Sequence, residues 1–318
     1  MTSQNTSTNP VINAPSVTPE SRLAREQGFV EVDGLRLFYS SVGAGMPMFV
    51  LPGGPGASHE YLVDSMRALA DERRLIFLDP RGCGRSGKAS DPSGYTLDAM
   101  VEDIEAVRRS LGLRQVDIFG HSFGGVIAQG YAIACPDSVR SLVLACTGSS
   151  ARRINADLAN VKASANPDLR ARLEALEAQG IYDANGSQLP EYRRLADKAL
   201  KSFMHAHESS EVESTVDEYS WDVMRALWGD RSDFELTGSL QGFDFTAALG
   251  DLTAPALILY GEHDIVSDET ARETSFSIPA STLHKLMGAA HEVRSDQPGE
   301  FVRALRRFFS SLSIRPPC

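Results

Sequence analysis

The string Gly120-His121-Ser122-Phe123-Gly124 constrains this chain more than any other five residues. It fits G-x-S-x-G, with a strand-like run at residues 116–119 before it and a helix-like apolar stretch at 126–134 after it. A strand that turns into a helix over so few residues needs glycines, because a Cβ at the pinch strikes backbone. Such a turn lifts the serine hydroxyl above a sheet edge. It also puts the next amide, that of Phe123, at a helix N-terminus, where developing negative charge is stabilised. Ser122 is therefore a candidate nucleophile, and the motif needs an α/β sheet to stand on.

The remaining runs supply that sheet. Residues 29–32 and 35–40 flank Asp33-Gly34, a hairpin turn signal. Runs at 48–51, 75–78 and 142–146 are apolar throughout rather than alternating, and 116–119 is broken only by Asp117, which marks parallel strands covered on both faces. Met100, Ile104, Val107 and Leu111 repeat at helical spacing until Gly112. The rhythm then breaks. From about 149 to 242 no strand signal appears, and the apolar spacings (Leu173/Leu176, Leu195/Ala199/Phe203, Trp221/Met224/Trp228) are helical. Strands return at 256–260 and 282–286, followed by a helix on Phe301, Leu305, Phe308 and Leu312. The expected organisation is a disordered leader at 1–27, a first core part at 28–148, a helical lid at 149–242 and a second core part at 243–314. Ligands bind at the C-terminal edge of such sheets, which the lid is expected to cover.

A serine nucleophile needs a base, and the base an orienting acid, in the chain order Ser, Asp/Glu, His for this architecture. Asp264 follows the strand at 256–260, and His291 follows the strand at 282–286, so both are placed at the edge that carries Ser122. Glu262 and Asp268 are rival acids. His59, His205 and His207 lie outside that register, His284 is within a strand, His121 points away and His263 neighbours the acid. The loop Pro52-Gly53-Gly54-Pro55-Gly56 follows the strand at 48–51, and its small residues let a backbone amide approach substrate closely. Gly54 and Phe123 are the expected oxyanion donors. Phe123, Trp221, Trp228 and Phe243 are candidate pocket walls.

Charge and cysteine spacing exclude several classes. There are 31 Lys+Arg against 42 Asp+Glu, a net charge of −11, which repels nucleic-acid backbones and anionic membranes. Cys83, Cys135, Cys146 and Cys318 have no C-x-x-C or Cys/His spacing, so no zinc site, and reduced thiols in the cytoplasm, are expected. No apolar run is long enough to span a membrane, and the first twenty residues lack the apolar core of a signal peptide. The sequons at Asn5 and Asn185 thus lack a secretory context. Residues 82–88 copy the G-x-x-x-x-G-K of a phosphate loop. Ala89 stands where Ser/Thr would hold Mg²⁺, and turn residues replace the helix, so nucleotide binding is not expected.

These residues resemble the α/β-hydrolase superfamily and, within it, the proline iminopeptidase family of serine peptidases. Residues 52–56 look like that family's H-G-G-P-G, and residues 79–86 look like its D-Q-R-G-C-G-R-S. Residues 234–264, with Thr237-Gly238 and Phe243-Asp244, are similar to its stretch between lid and catalytic acid. The resemblance implies hydrolysis of an N-terminal residue, with lid and loop carboxylates recognising the free amine. Two carboxylate positions depart from the pattern: Asp233 replaces a longer Glu, and Ile265 replaces a Glu directly after the acid. A third departure, Pro52, replaces the loop histidine. The expectation is a serine hydrolase with weakened free-amine recognition, acting on small amides, amino-acid amides or short peptides without metal or organic cofactor. Its alternatives are a carboxylesterase or lactonase, and then a non-catalytic ligand receptor.

Overall fold

The computed structural model describes residues 25–206 and 219–313. The first 24 residues of the expected leader, with Asn5, and also His207 and Cys318, lie outside them. An eight-stranded sheet forms the centre, in the order β1-β2-β4-β3-β5-β6-β7-β8. Strands β1 (Glu26–Val32) and β2 (Leu35–Val42) pair antiparallel around Asp33-Gly34, both with positive φ, and β2 pairs antiparallel with β4 (Arg73–Leu78). β1 thus starts inside the stretch expected as leader. From β4 onward the pairings are parallel, through β3 (Met46–Leu51), β5 (Val116–His121), β6 (Val139–Ala145), β7 (Ala256–Gly261) and β8 (Ser281–Leu286).

The continuous apolar runs have the cause inferred for them. Phe49, Ile76, Ile118 and Leu142 pack on one face under helices α2 (Leu97–Ser110) and α3 (Phe123–Ala134). Met48, Val50, Phe77 and Val143 point the other way, under α1 (Glu60–Met66) and the C-terminal helix, with its Phe301, Leu305 and Phe308. Successive side chains leave a strand on opposite faces, so a strand buried twice is apolar at most positions, and a polar exception such as Asp117 takes a buried partner, Ser141 Oγ at 2.6 Å.

Between β6 and β7 the chain leaves the sheet, and among the described residues it forms the helices α4 (Ala151–Ser164), α5 (Pro167–Glu177), α6 (Pro190–Met204) and α7 (Trp221–Leu227). Most of these share an apolar cluster of their own, including Leu158, Leu173, Leu176, Tyr192, Ala199 and Phe234. The excursion starts and ends at one place, because Ala151 N–H donates to Phe243 O (2.8 Å) and Phe245 N–H to Ser149 O (2.8 Å). After β7 come α8 (Asp268–Ser277), then β8, the short α9 (Val293–Asp296) and α10 (Pro298–Ser313).

The loop at 82–88 closes on the protein itself. Asp79 Oδ2 accepts the Arg85 N–H at 2.9 Å, so a carboxylate occupies the turn where a phosphate loop would hold its anion.

Candidate active site

Ser122 joins β5 to α3 with φ 53° and ψ −121°, a backbone conformation that costs a non-glycine residue about 1–3 kcal/mol. Two backbone bonds hold it: Ser122 N–H to Ala145 O (2.8 Å) and Gly125 N–H to Ser122 O (2.9 Å). The glycines are required by contact, since a Cβ at Gly120 would collide with the Gly124 carbonyl and one at Gly124 with that of Leu51. Among the described residues the Ser122 hydroxyl has no hydrogen-bond partner. The Phe123 side chain is buried and packs in the sheet core. Its amide heads α3, where the first-turn donors have no acceptor within the helix.

Asp264 and His291 meet in the loops after β7 and β8, with Nδ1 of the imidazole 2.6 Å from Oδ1 of the carboxylate. Asp264 also accepts the amides of Val266 (3.1 Å) and Gly261 (3.3 Å), and both side chains are buried. A carboxylate only accepts, so Nδ1 carries the proton and Nε2 of the neutral ring is left as the basic atom. Burial alone would push His291 down, but the adjacent Asp264 carboxylate raises it above the usual histidine value. Burial likewise acts to raise Asp264, and its histidine partner holds it below the usual carboxylate value. The rival acids are engaged elsewhere: Asp268 with Lys285 Nζ at 2.6 Å, Glu262 with the Gly288 amide at 2.9 Å. His59 is paired with Asp79 (2.6 Å), and His284 and His263 lie beside Glu300 and Glu262.

The segments that follow the neighbouring strands β5, β6, β7 and β8 thus carry Ser122, Cys146, Asp264 and His291. Cys146 escaped sequence reasoning. It directly follows β6 with φ 55°, its amide donates to Leu259 O (2.7 Å), and burial and the nearby Asp264 raise its thiol. Cys146, Asp264 and His291 bring their ligand-type atoms within 4.8 Å of one another, the one such trio among the described residues. Two of its members are already committed to each other by hydrogen bond.

The loop after β3 comes up beside Ser122. Gly54 has φ +114°, which favours glycine. The Gly53 amide donates to Tyr61 Oη at 2.6 Å, whereas the Gly54 amide has no acceptor among the described residues. Tyr61, another residue without a sequence signal, also bonds His121 Nδ1 (2.8 Å). His121 is buried beneath the site, its ring centroid 5.1 Å from that of His291.

The helical excursion supplies the remaining candidates. Tyr219 Oη donates to Pro55 O (2.6 Å), tying the stretch before α7 to the β3 loop. Trp221 packs on Tyr219 (4.8 Å between centroids) and Tyr182 (6.3 Å). Asp233 Oδ1 accepts from Gln188 Nε2 (2.5 Å), and its amide donates to Tyr192 Oη (2.8 Å). Burial raises its carboxyl to about 7, and the neighbouring Asp197 and Glu177 push the same way. Ile265 packs against the apolar cluster of the excursion. Trp228 touches both that cluster and the sheet core, while Phe243 packs on Phe245 (5.3 Å) at the root of the excursion.

Residues 46–297 match the family described as alpha/beta hydrolase fold. The chain belongs to this family. Among its relatives is the proline iminopeptidase of Heyndrickxia coagulans, 30% identical over 292 residues, covering 90% of this chain and 99% of that protein. The crystal structure of a proline iminopeptidase from Mycobacterium smegmatis superimposes with a TM-score of 0.79 at 24% identity, over 90% of this chain and 98% of that one. That of VinJ gives 0.81 at 23% identity, over 90% and 99%. As an alpha/beta hydrolase the chain has the mostly parallel sheet and flanking helices expected of it, and its relatives support a hydrolase. Among the described residues no helix is long and apolar enough to cross a membrane.

Proposed function

We propose that the protein is a serine hydrolase that works through an acyl-enzyme on small amides, amino-acid amides or short peptides. The observation that carries this is the buried Asp264–His291 pair, 2.6 Å apart, at the sheet edge where the strained elbow presents Ser122. Ser122 Oγ attacks the carbonyl while Nε2 of His291 takes its proton and passes it to the departing amine or alcohol. Water then attacks the ester carbonyl while His291 takes its proton, and His291 passes that proton to Ser122 Oγ as the C–Oγ bond breaks and the acid leaves. The negative charge on the carbonyl oxygen is held by the Gly54 and Phe123 amides, and Asp264 keeps the imidazole in the Nδ1-protonated form. Helices α4 to α7 act as the lid, with Asp233, Trp221 and Trp228 facing the substrate. Likeness to proline iminopeptidases supports an amine-bearing substrate. A neutral ester or lactone is the second reading, favoured by the apolar Ile265 next to Asp264.

A fluorophosphonate probe tests the nucleophile. Wild type is expected to be labelled and Ser122→Ala not, with kcat down by about 10⁴–10⁶ and the fold intact. A Ser122→Ala enzyme that keeps a tenth of wild-type kcat would refute the assignment, and an unlabelled wild type would favour a ligand receptor. Chromogenic amino-acid anilides, N-blocked anilides, esters and lactones then separate the substrate classes.

A further inference from the structure

Three hydrogen bonds, one buried and two partly buried, run beside Ser122 and join four separate segments of chain. The Gly53 amide in the β3 loop donates to Tyr61 Oη on α1 (2.6 Å). Tyr61 Oη lies 2.8 Å from Nδ1 of His121, the last residue of β5. His121 Nε2 lies 3.1 Å from the carbonyl oxygen of His291, in the loop after β8. The direction of each bond is forced. A carbonyl can only accept, so Nε2 of His121 carries the proton, and the neutral ring offers Nδ1 as acceptor. Tyr61 then donates to Nδ1, and its oxygen is left to accept from Gly53.

We infer that Tyr61 is a positioning residue, which through His121 fixes the oxyanion loop relative to the loop carrying the base. This rests on the hydrolase reading above. A Cβ placed on Gly53 would lie 3.1 Å from both Ser122 Cβ and Tyr61 Oη, and 3.3 Å from His121 Nδ1, so the chain of bonds passes directly under the nucleophile. By engaging the Gly53 amide, Tyr61 sets the loop so that the next amide, that of Gly54, is the one left unengaged. The ring is held in turn by Arg294, whose guanidinium lies 4.6 Å from its centroid and is paired with Glu292 at 2.7 Å. Burial pushes His121 down to about 4 and Tyr61 upward, so both stay neutral while the enzyme works.

An oxyanion donor acts on the transition state and hardly at all on bound substrate, so misplacing it lowers kcat and leaves KM nearly unchanged. Tyr61→Phe keeps the ring and removes the hydroxyl. Its kcat is expected to fall about tenfold to a hundredfold, less than the loss of a whole oxyanion donor, with KM within about twofold. Fluorophosphonate labelling should slow in parallel. His121→Gln offers one acceptor and one donor at similar spacing and should stay within about threefold of wild type, whereas His121→Leu should fall as Tyr61→Phe does. A Tyr61→Phe enzyme with wild-type kcat, or a His121→Gln enzyme as impaired as His121→Leu, overturns the inference. If Tyr61→Phe fails to fold, the His121 pair decides alone. A wild type that takes no label removes the hydrolase reading itself. A labelled wild type matched by Tyr61→Phe removes only this inference.

Discussion

The base of the proposed reaction works only when neutral, and its environment sets where that happens. Asp264 raises His291 against the downward push of burial. A group raised in this way holds its proton to higher pH, so activity is lost as pH falls through a value above the ordinary ~6.5. With N-blocked or ester substrates, which do not engage Asp233, we expect kcat/KM to drop in acid along a single ionisation centred above that value. Asp264→Asn removes the raising charge and the hold on the tautomer together. The acid limb should move to lower pH, and kcat should fall by about 10⁴. Profiles from pH 5 to 9 on wild type and variant check both shifts, and a wild-type limb centred below about 6 would contradict the assignment. Asp268→Asn is the control, because its carboxylate is tied to Lys285 and should leave the limb in place.

At the scale of elements, the end of α6 is clamped to the loop that carries His291. The amides of His291 and Glu292 donate to the carbonyls of Phe203 (2.8 Å) and Met204 (3.0 Å). Asp296 Oδ2 accepts the amides of Ala290 (2.8 Å) and Ala206 (3.0 Å), so one carboxylate bridges sheet and excursion. Asp296→Ala strands two amides and should cost about 1–3 kcal/mol in urea unfolding, with a loss of kcat as the loop loosens. A variant within 0.5 kcal/mol of wild type would mean that the clamp contributes nothing to stability. None of these contacts could be read from the sequence. Local pattern carries what is local: the apolar strands, the Asp33-Gly34 hairpin and the elbow each declare themselves within a few residues. The order of strands then follows from the rules of such sheets, and with it the placing of Asp264 and His291 at one edge. Tyr61, Cys146 and Asp296 have no such signal, because each has a partner far away in sequence (His121, Asp264 and Ala206) and ordinary side chains mark their positions. His121 was expected to point away from the site; its ring instead lies beneath Ser122, bonded to Tyr61 and to the His291 backbone.

Across the whole molecule, recognition in this reading draws on two parts of the chain: Asp233 from the excursion and Ile265 from the sheet edge. A substrate ammonium loses hydration on entering such a site and must be repaid by carboxylates. Asp233 has one oxygen committed to Gln188, and burial raises its carboxyl to about 7, so near neutral pH it is charged only part of the time. Ile265 offers nothing to a cation and packs among apolar side chains. Wild type should therefore favour free-amine anilides over N-acetylated ones by no more than about tenfold, since one charged hydrogen bond contributes roughly 1.5–3 kcal/mol only when the acid is ionised. That preference should grow from pH 6 to 7.5, as Asp233 loses its proton while the substrate amine, with a pKa near 7.7–8, still keeps its own. Asp233→Asn should flatten this dependence and cut turnover of amino-acid amides more than that of simple esters. Ile265→Glu should shift preference toward free amines by about 1–2 kcal/mol, ten- to thirtyfold, at some cost in stability because a charge enters an apolar cluster. The measurement is kcat/KM for matched free and N-acetylated anilides across that pH range, with wild type and both variants. A wild-type preference of a thousandfold or more, constant with pH, would assign the amine to another carboxylate and leave Ile265 no part in selectivity.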